Sequence, residues 1–193
     1  MQMNRTLSAL AVTALLLTPG TTRAQAAADA MAPAGPEVGQ MAPDFTITAV
    51  TKDGGAHDMT LASLRGQTVV LAFFPRVRTS GCTVQMEAYR DRYAEIFRSG
   101  QKVTLLAIST DASADQQAWA ADAKFTHMFG SDLGGKVGAL YGAYMSANNM
   151  DNRYLFVIDP AGKITYTAKP FRQMVDAAYS DLGAAVAKAG GGH

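Results

Sequence analysis

Two short runs, TVVLAFF at residues 68 to 74 and VTLLAIST at residues 103 to 110, are apolar at nearly every position. A strand with one face in water alternates apolar and polar side chains, so runs like these belong to central strands covered on both faces. Further strand signals are FTITAV (45 to 50), RYLFVID (153 to 159) and KITYTAK (163 to 169). The turn residues Asp159, Pro160, Ala161 and Gly162 make residues 153 to 169 a predicted hairpin. Between strands the apolar period lengthens. After Gly81, Met86, Tyr89, Tyr93, Ile96 and Phe97 share one face of a helix expected to end near Gly100. A second helix is predicted over SADQQAWAADAK, and a last one from about Phe171 to Lys188, with Phe171, Met174, Ala178, Leu182 and Val186 on one stripe. This order is an α/β fold, a mixed central β-sheet flanked by α-helices.

The N-terminus reads differently. Arg5 precedes an apolar run from Leu7 to Leu17, then Pro19-Gly20 and the A-x-A site Ala24-Gln25-Ala26. The run is shorter than the roughly 20 residues a spanning helix needs, so residues 1–26 are expected to be a cleaved secretory signal peptide and the protein periplasmic. Residues 27–36, rich in Ala, Pro and Gly, read as a linker; 37–188 form one domain and 189–193 a flexible tail. Cleavage removes Arg5 and Arg23, leaving 15 basic against 16 acidic residues, a net charge near −1. That balance suggests no nucleic-acid partner, and with the short apolar run removed no stable membrane association is expected.

The chain has one cysteine, Cys82, so no internal disulfide can form. A lone thiol in an exported protein is either a leftover or a reactive group. Cys82 sits in FFPRVRTSGCT, where a central strand has ended and a helix begins. Unpaired amides of the first helical turn stabilise a thiolate there, and Arg76 and Arg78 are expected to add positive potential. The bland reading is a buried cysteine acting as a small apolar side chain.

Pro75, Thr79 and Cys82 spell P-x-x-x-T-x-x-C, which resembles the active-site motif of the peroxiredoxins (AhpC/TSA superfamily). Gly39 to Phe45 (GQMAPDF) resembles that family's entry segment, and Asp53-Gly54 with LASLRG at residues 61 to 66 its early hairpin and short helix. Ser109-Thr110-Asp111, Ala118-Trp119-Ala120, Ser131-Asp132 with Tyr141-Gly142, and Arg153 through Asp159 follow in family order. The resemblance covers roughly residues 37 to 188 and is strongest to the bacterioferritin-comigratory or Q-type branch. It implies a thioredoxin-like fold and thiol-dependent reduction of hydrogen peroxide or organic hydroperoxides.

On that resemblance Cys82 is the nucleophile and Arg153 a planar multi-donor group holding thiolate and peroxide. Thr79 exchanges hydrogen bonds with the peroxide, and Pro75, lacking an N–H, shields the sulfur from water. Two positions depart from the family. Glu87 stands where many Q-type members carry a resolving cysteine, so the chain resembles a one-cysteine form. Gln85 stands where the family commonly has glutamate, keeping a carbonyl acceptor without its charge. The implied reductant is an external thiol: thioredoxin-like, glutaredoxin-like or of low molecular weight.

No cofactor or metal is expected, since His57, His127 and His193 lack ligand spacing, and Gly134-Gly135-Lys136 lacks that of a phosphate-binding loop. Trp119 and the tyrosines at helical spacing are expected in the core. The competing reading is a thioredoxin-fold binding or chaperone-like module with little peroxidase turnover; disulfide exchange is disfavoured without a C-x-x-C pair. Monomer and homodimer both fit the sequence.

Overall fold

A computed structural model describes residues 35–98 and 101–191. The expected signal peptide, residues 27–34 of the expected linker, and residues 99–100 and 192–193 lie outside the described residues. The chain runs β1 (Thr46–Val50), β2 (His57–Thr60), a 3-10 turn (Leu61–Leu64), β3 (Thr68–Phe73), α1 (Ser80–Asp91) and α2 (Tyr93–Phe97). It continues through β4 (Val103–Ser109), α3 (Ser113–Asp122), β5 (Met128–Ser131), α4 (Lys136–Leu140), β6 (Tyr144–Met145) and β7 (Met150–Asp151). It closes with β8 (Leu155–Ile158), β9 (Ile164–Ala168) and α5 (Asp176–Gly190).

Seven strands form one mixed sheet in the order β2-β1-β5-β4-β3-β8-β9. The two all-apolar runs, β3 and β4, lie side by side and parallel near its centre. Alternation within them explains the sandwich. Val70, Ala72 and Phe74 join Leu105 and Ala107 on one face, packed with Met86, Tyr89, Phe97, Trp119 and Leu182. Val69, Leu71 and Phe73 join Leu106 and Ile108 on the other, with Leu61, Leu64, Val137 and Tyr141. Every β3 side chain is buried, whichever way it points, which is why the sequence there shows no polar alternation.

The predicted hairpin forms as β8 and β9, antiparallel. Its turn closes through Gly162 N–H to Asp159 O at 2.8 Å. Gly162 has φ +89°, and a Cβ there would meet the Arg65 guanidinium, whose Nη1 donates to Ala161 O at 2.7 Å.

Three expectations need correction. The single helix expected from Gly81 to near Gly100 is two, broken at Arg92 and ended at Phe97 by Arg98 in left-handed backbone. The Arg92 side chain there pairs with Glu95 and with Asp176 at the start of α5. The last helix begins at Asp176, not Phe171, because the Phe171 amide donates to Arg153 O at 2.7 Å instead of entering a helix. Phe171 is buried as expected, but Met174 lies in the turn before the helix, 73% exposed. The same helix runs on to Gly190 and buries Ala189. Strand β5 was not anticipated: MFGS has little strand signal, and it is held by pairing with β4 and β1. A Cβ on Gly130 would come within 2.8 Å of Ile47 Cδ1, so a larger residue here would make the end of the Ile47 side chain shift.

The small β6–β7 hairpin carries a buried acid. Asp151 pairs across with Tyr144, has no exposed surface, and neither carboxyl oxygen has a hydrogen-bond partner among the described residues. Burial first, then the neighbouring Asp132 and Asp111, pushes its pKa up to about 8. From the ordinary carboxylate range to about pH 8, the folded chain holds a proton that the unfolded chain has released. This contribution to stability is therefore full in acid and lost as pH rises, by up to about 1.4 kcal/mol per pH unit, with no further loss above about pH 8. Asp151→Asn is expected to flatten the decline. Urea midpoints of the two proteins between roughly pH 5 and pH 9 check it, and parallel profiles would contradict the assignment.

Candidate active site

Strand β3 ends at Phe73, where backbone bonds tie it to both neighbours: Phe73 N–H to Tyr154 O at 2.8 Å and Phe74 N–H to Ile108 O at 2.9 Å. The chain then leaves the sheet through Pro75 to Thr79, with Pro75 half-buried at the exit. Asp111, just beyond β4, clamps this loop. Its Oδ2 accepts from Val77 N–H at 2.9 Å and from the Ser109 hydroxyl at 2.8 Å. Arg78 has φ +60°, a left-handed conformation that turns the loop into α1.

Thr79 occupies the N-cap position with extended backbone, but its side chain makes no cap bond. Its hydroxyl donates to Arg76 O at 3.1 Å, leaving the oxygen lone pairs as acceptors. The backbone amides of Ser80, Gly81 and Cys82 form the opening turn, whose donors lie too early in the helix for the usual intrahelical bonds. Cys82 is thus the third residue of α1, and its side chain is fully buried.

Arg153 arrives from the antiparallel neighbour. Because Ala72 pairs with Leu155, the head of β8 lies beside the end of β3, and Arg153 stands two residues before Leu155. Its Nη2 lies 3.3 Å from Cys82 Sγ, and its Nη1 donates to Gln85 Oε1. Gln85 Nε2 in turn donates to the Tyr89 hydroxyl at 2.8 Å. Cys82, Gln85 and Tyr89 are all without exposed surface. A reagent therefore reaches the sulfur only when a covering group shifts.

The structure brings Cys82, Thr79 and Arg153 to one locus, with Pro75 at the exit of β3. It corrects the expected role of Arg76 and Arg78. Arg78 is paired with Asp122, and Arg76 faces Asp111 at 3.9 Å and the carbonyl of Asn149 at 3.3 Å. The guanidinium in hydrogen-bonding contact with the sulfur is Arg153. Four supporting residues were not singled out for the site from sequence. Asp111 fixes the loop, Tyr89 meets Gln85, Phe171 holds the Arg153 carbonyl, and Gly81 makes room: a Cβ there would lie 3.0 Å from Gln173 Nε2 and 3.5 Å from Arg153 Nη2. Of these, Asp111 had a signal, since it closes the Ser109-Thr110-Asp111 segment.

Other candidates fall away from the chemistry. His127 lies in the aromatic core beside Phe125 and Phe129, and burial drives its pKa down to about 3, so it is neutral. Trp119 packs in the core as expected. Among the described residues no group of three or more His, Cys, Asp or Glu side chains is arranged to hold a metal ion. No described helix is long and apolar enough to cross a membrane.

Comparison with known proteins gives the family. The AhpC/TSA family model matches residues 38–167. The chain belongs to the AhpC/TSA family. Similar relatives include a chloroplastic peroxiredoxin Q of Arabidopsis thaliana, 36% identical over 65% of this chain and 56% of that protein. A putative peroxiredoxin in the rubredoxin operon of Clostridium pasteurianum is 31% identical over 67% of this chain and 76% of its own length. A solved peroxidoxin BcpB from Mycobacterium tuberculosis superposes with a TM-score of 0.67 at 27% identity, covering 79% of this chain and 97% of that one. These relatives place the chain with the Q, or bacterioferritin-comigratory, branch, and the thioredoxin-like fold follows from the same likeness. The chain spans under two thirds of the length of the chloroplastic relatives, 57% for the one from Triticum aestivum.

Arg153 is half-buried and meets the Cys82 sulfur through its guanidinium, so Arg153→Met keeps an apolar stem and removes the donors. Oxidation of Cys82 by hydrogen peroxide is expected to slow by about tenfold to a thousandfold, the span for loss of one preorganised charge stabiliser. Stopped-flow rates at matched folded fraction check this, and an unchanged rate removes Arg153 from the site.

Proposed function

We propose that the protein is a thiol-dependent peroxidase reducing hydrogen peroxide or organic hydroperoxides. The observation that carries this reading is the Arg153 guanidinium 3.3 Å from a buried cysteine sulfur in the first turn of a helix. A peroxide has one bond worth attacking, and a thiolate is the species that attacks it. The Cys82 sulfur takes one oxygen, the O–O bond breaks, and the sulfur is oxidised by two electrons to sulfenic acid. The departing oxygen carries the bond pair as hydroxide or alkoxide and is protonated to water or alcohol.

Each group has a part in that step. Arg153 presents fixed donors where negative charge passes from sulfur to the leaving oxygen. The first-turn amides of α1 add oriented N–H groups, and the Thr79 hydroxyl, donating to Arg76 O, has its oxygen lone pairs to accept a hydrogen bond from the peroxide O–H. Pro75 contributes no competing N–H at the exit of β3.

Recycling needs a second thiol. With one cysteine in the chain, the sulfenic acid condenses with an external thiol, losing water to form a mixed disulfide. A further thiol releases Cys82. A thioredoxin-like reductant is supported by a 33% identical relative from Echinococcus granulosus named thioredoxin peroxidase, which the match covers over 77% of its length. The charged start, short apolar run and A-x-A site of residues 1–26 support export to the periplasm.

The test is oxidation of the purified protein followed by intact mass. Dilute peroxide is expected to add one oxygen to Cys82 rapidly, trapped by a dimedone-type probe. Excess peroxide without reductant is expected to add a second and a third, because no resolving cysteine intervenes, whereas glutathione diverts the first product into a mixed disulfide. Oxidation no faster than that of free cysteine would overturn the peroxidase reading. A stable covalent dimer that never gains further oxygens would overturn the external-thiol recycling.

A further inference from the structure

The two ends of Gln85 are chemically different, and the site uses both. A guanidinium has only donors, so the Gln85 carbonyl oxygen is the end that can face Arg153. The amide N–H groups must then point the other way. They meet the hydroxyl oxygen of Tyr89 at 2.8 Å, one helical turn along α1. Both side chains are fully buried, so solvent is not at hand to stand in for either partner.

We propose that Tyr89 is a positioning residue for the peroxidase reaction: its hydroxyl oxygen accepts the Gln85 amide, sets which end of Gln85 faces Arg153, and thereby holds the guanidinium against the Cys82 sulfur. The inference rests on the peroxidase reading above. Its chain of hydrogen bonds is Tyr89 to Gln85 to Arg153 to Cys82, so the Tyr89 hydroxyl acts on the sulfur through Gln85 and Arg153.

The tyrosine is well anchored for such a role. Its ring packs against Phe97 at 5.5 Å, Tyr179 at 6.0 Å and Phe171 at 6.2 Å between centroids. Burial pushes its pKa far up, so the hydroxyl stays neutral and keeps its acceptor geometry at any working pH. Phe171 is also the residue whose amide holds the Arg153 backbone carbonyl, so the ring cluster and the arginine share one anchor. A phenylalanine at position 89 would preserve the rings and remove only the acceptor. The Gln85 amide would then be left unsatisfied in the interior, and rotating it to find a partner would turn a donor toward Arg153.

The chemistry predicts its own rescue. A glutamate at position 85 has acceptors at both oxygens, so it can face Arg153 without a partner at position 89. In Tyr89→Phe, the second-order rate of Cys82 oxidation by hydrogen peroxide is expected to fall by about three- to thirtyfold. Adding Gln85→Glu to Tyr89→Phe is expected to recover most of that loss. Urea midpoints of both variants show whether the recovery follows stability or orientation.

The outcomes separate this inference from the reading beneath it. A wild-type rate no better than free cysteine sinks the peroxidase reading and this inference with it. A fast wild type with Tyr89→Phe within twofold overturns the inference alone and marks Tyr89 as packing only; a slow Tyr89→Phe that Gln85→Glu leaves slow also overturns it, because the hydroxyl would then act otherwise than through the orientation of Gln85. If the variants fold too poorly to assay, NMR on the wild type decides. The Gln85 side-chain amide hydrogens are expected to exchange far more slowly than those of an exposed glutamine, and fast exchange refutes the hydrogen bond.

Discussion

The structure of the site depends on one contact, Arg153 Nη2 to Cys82 Sγ at 3.3 Å, between residues 71 apart in sequence. Neither residue's local element can make it. It exists because β3 and β8 are antiparallel neighbours with Ala72 opposite Leu155, which sets the head of one strand beside the exit of the other. A change of register would carry Arg153 away along the strand or to the opposite face. That register is secured by burial: Val70, Ala72, Leu155 and Val157 share one core face, and Leu71, Phe73, Phe156 and Ile158 share the other. The central sheet is therefore a positioning device as much as a scaffold.

Two polar networks then fix what the sheet brings near. On the loop side, Asp111 holds the amide of Val77, so the backbone between Pro75 and α1 cannot drift. On the helix side, Gln85 and Tyr89 line one face of α1 and orient Arg153 from beneath. Thr79 joins the networks through Arg76 O rather than by capping the helix, which keeps first-turn donors out of side-chain competition. The site is stiff where charge must be met, and access to the buried sulfur must come from movement of a neighbouring group.

Much of this was legible in the sequence because it follows from local pattern. The apolar runs at β3 and β4 announced central strands, Asp159 to Gly162 announced a hairpin, and the strand-to-helix setting of Cys82 placed the thiol at a helix start. Arg153 was legible only through family resemblance, since no local signal links it to the sulfur. Strand β5 was hidden because MFGS becomes a strand through its partners, with Gly130 admitting Ile47. The helical stripe drawn through Phe171 and Met174 failed for a similar reason. Phe171 is buried, as its character demands, but its amide is committed to Arg153, and the helix starts only at Asp176. Arg76 and Arg78 misled because proximity in sequence says nothing of the carboxylates that fold against them.

The neutral side chain at Gln85 shows how the site reconciles charge with burial. Arg153 needs an acceptor beneath it, and a carboxylate would supply one, but at a position with no exposed surface an anion carries a desolvation cost of several kcal/mol unless its pairing is complete. A glutamine lowers that cost and gives up part of the attraction. It also changes what the surroundings must supply: a carboxylate can be satisfied from one side by donors alone, whereas an amide must find an acceptor as well as a donor. The acceptor here is Tyr89, in a ring cluster that the core would bury regardless. The charge that matters is thus concentrated on Arg153, whose guanidinium lies at the sulfur, while the groups that aim it remain neutral and dry.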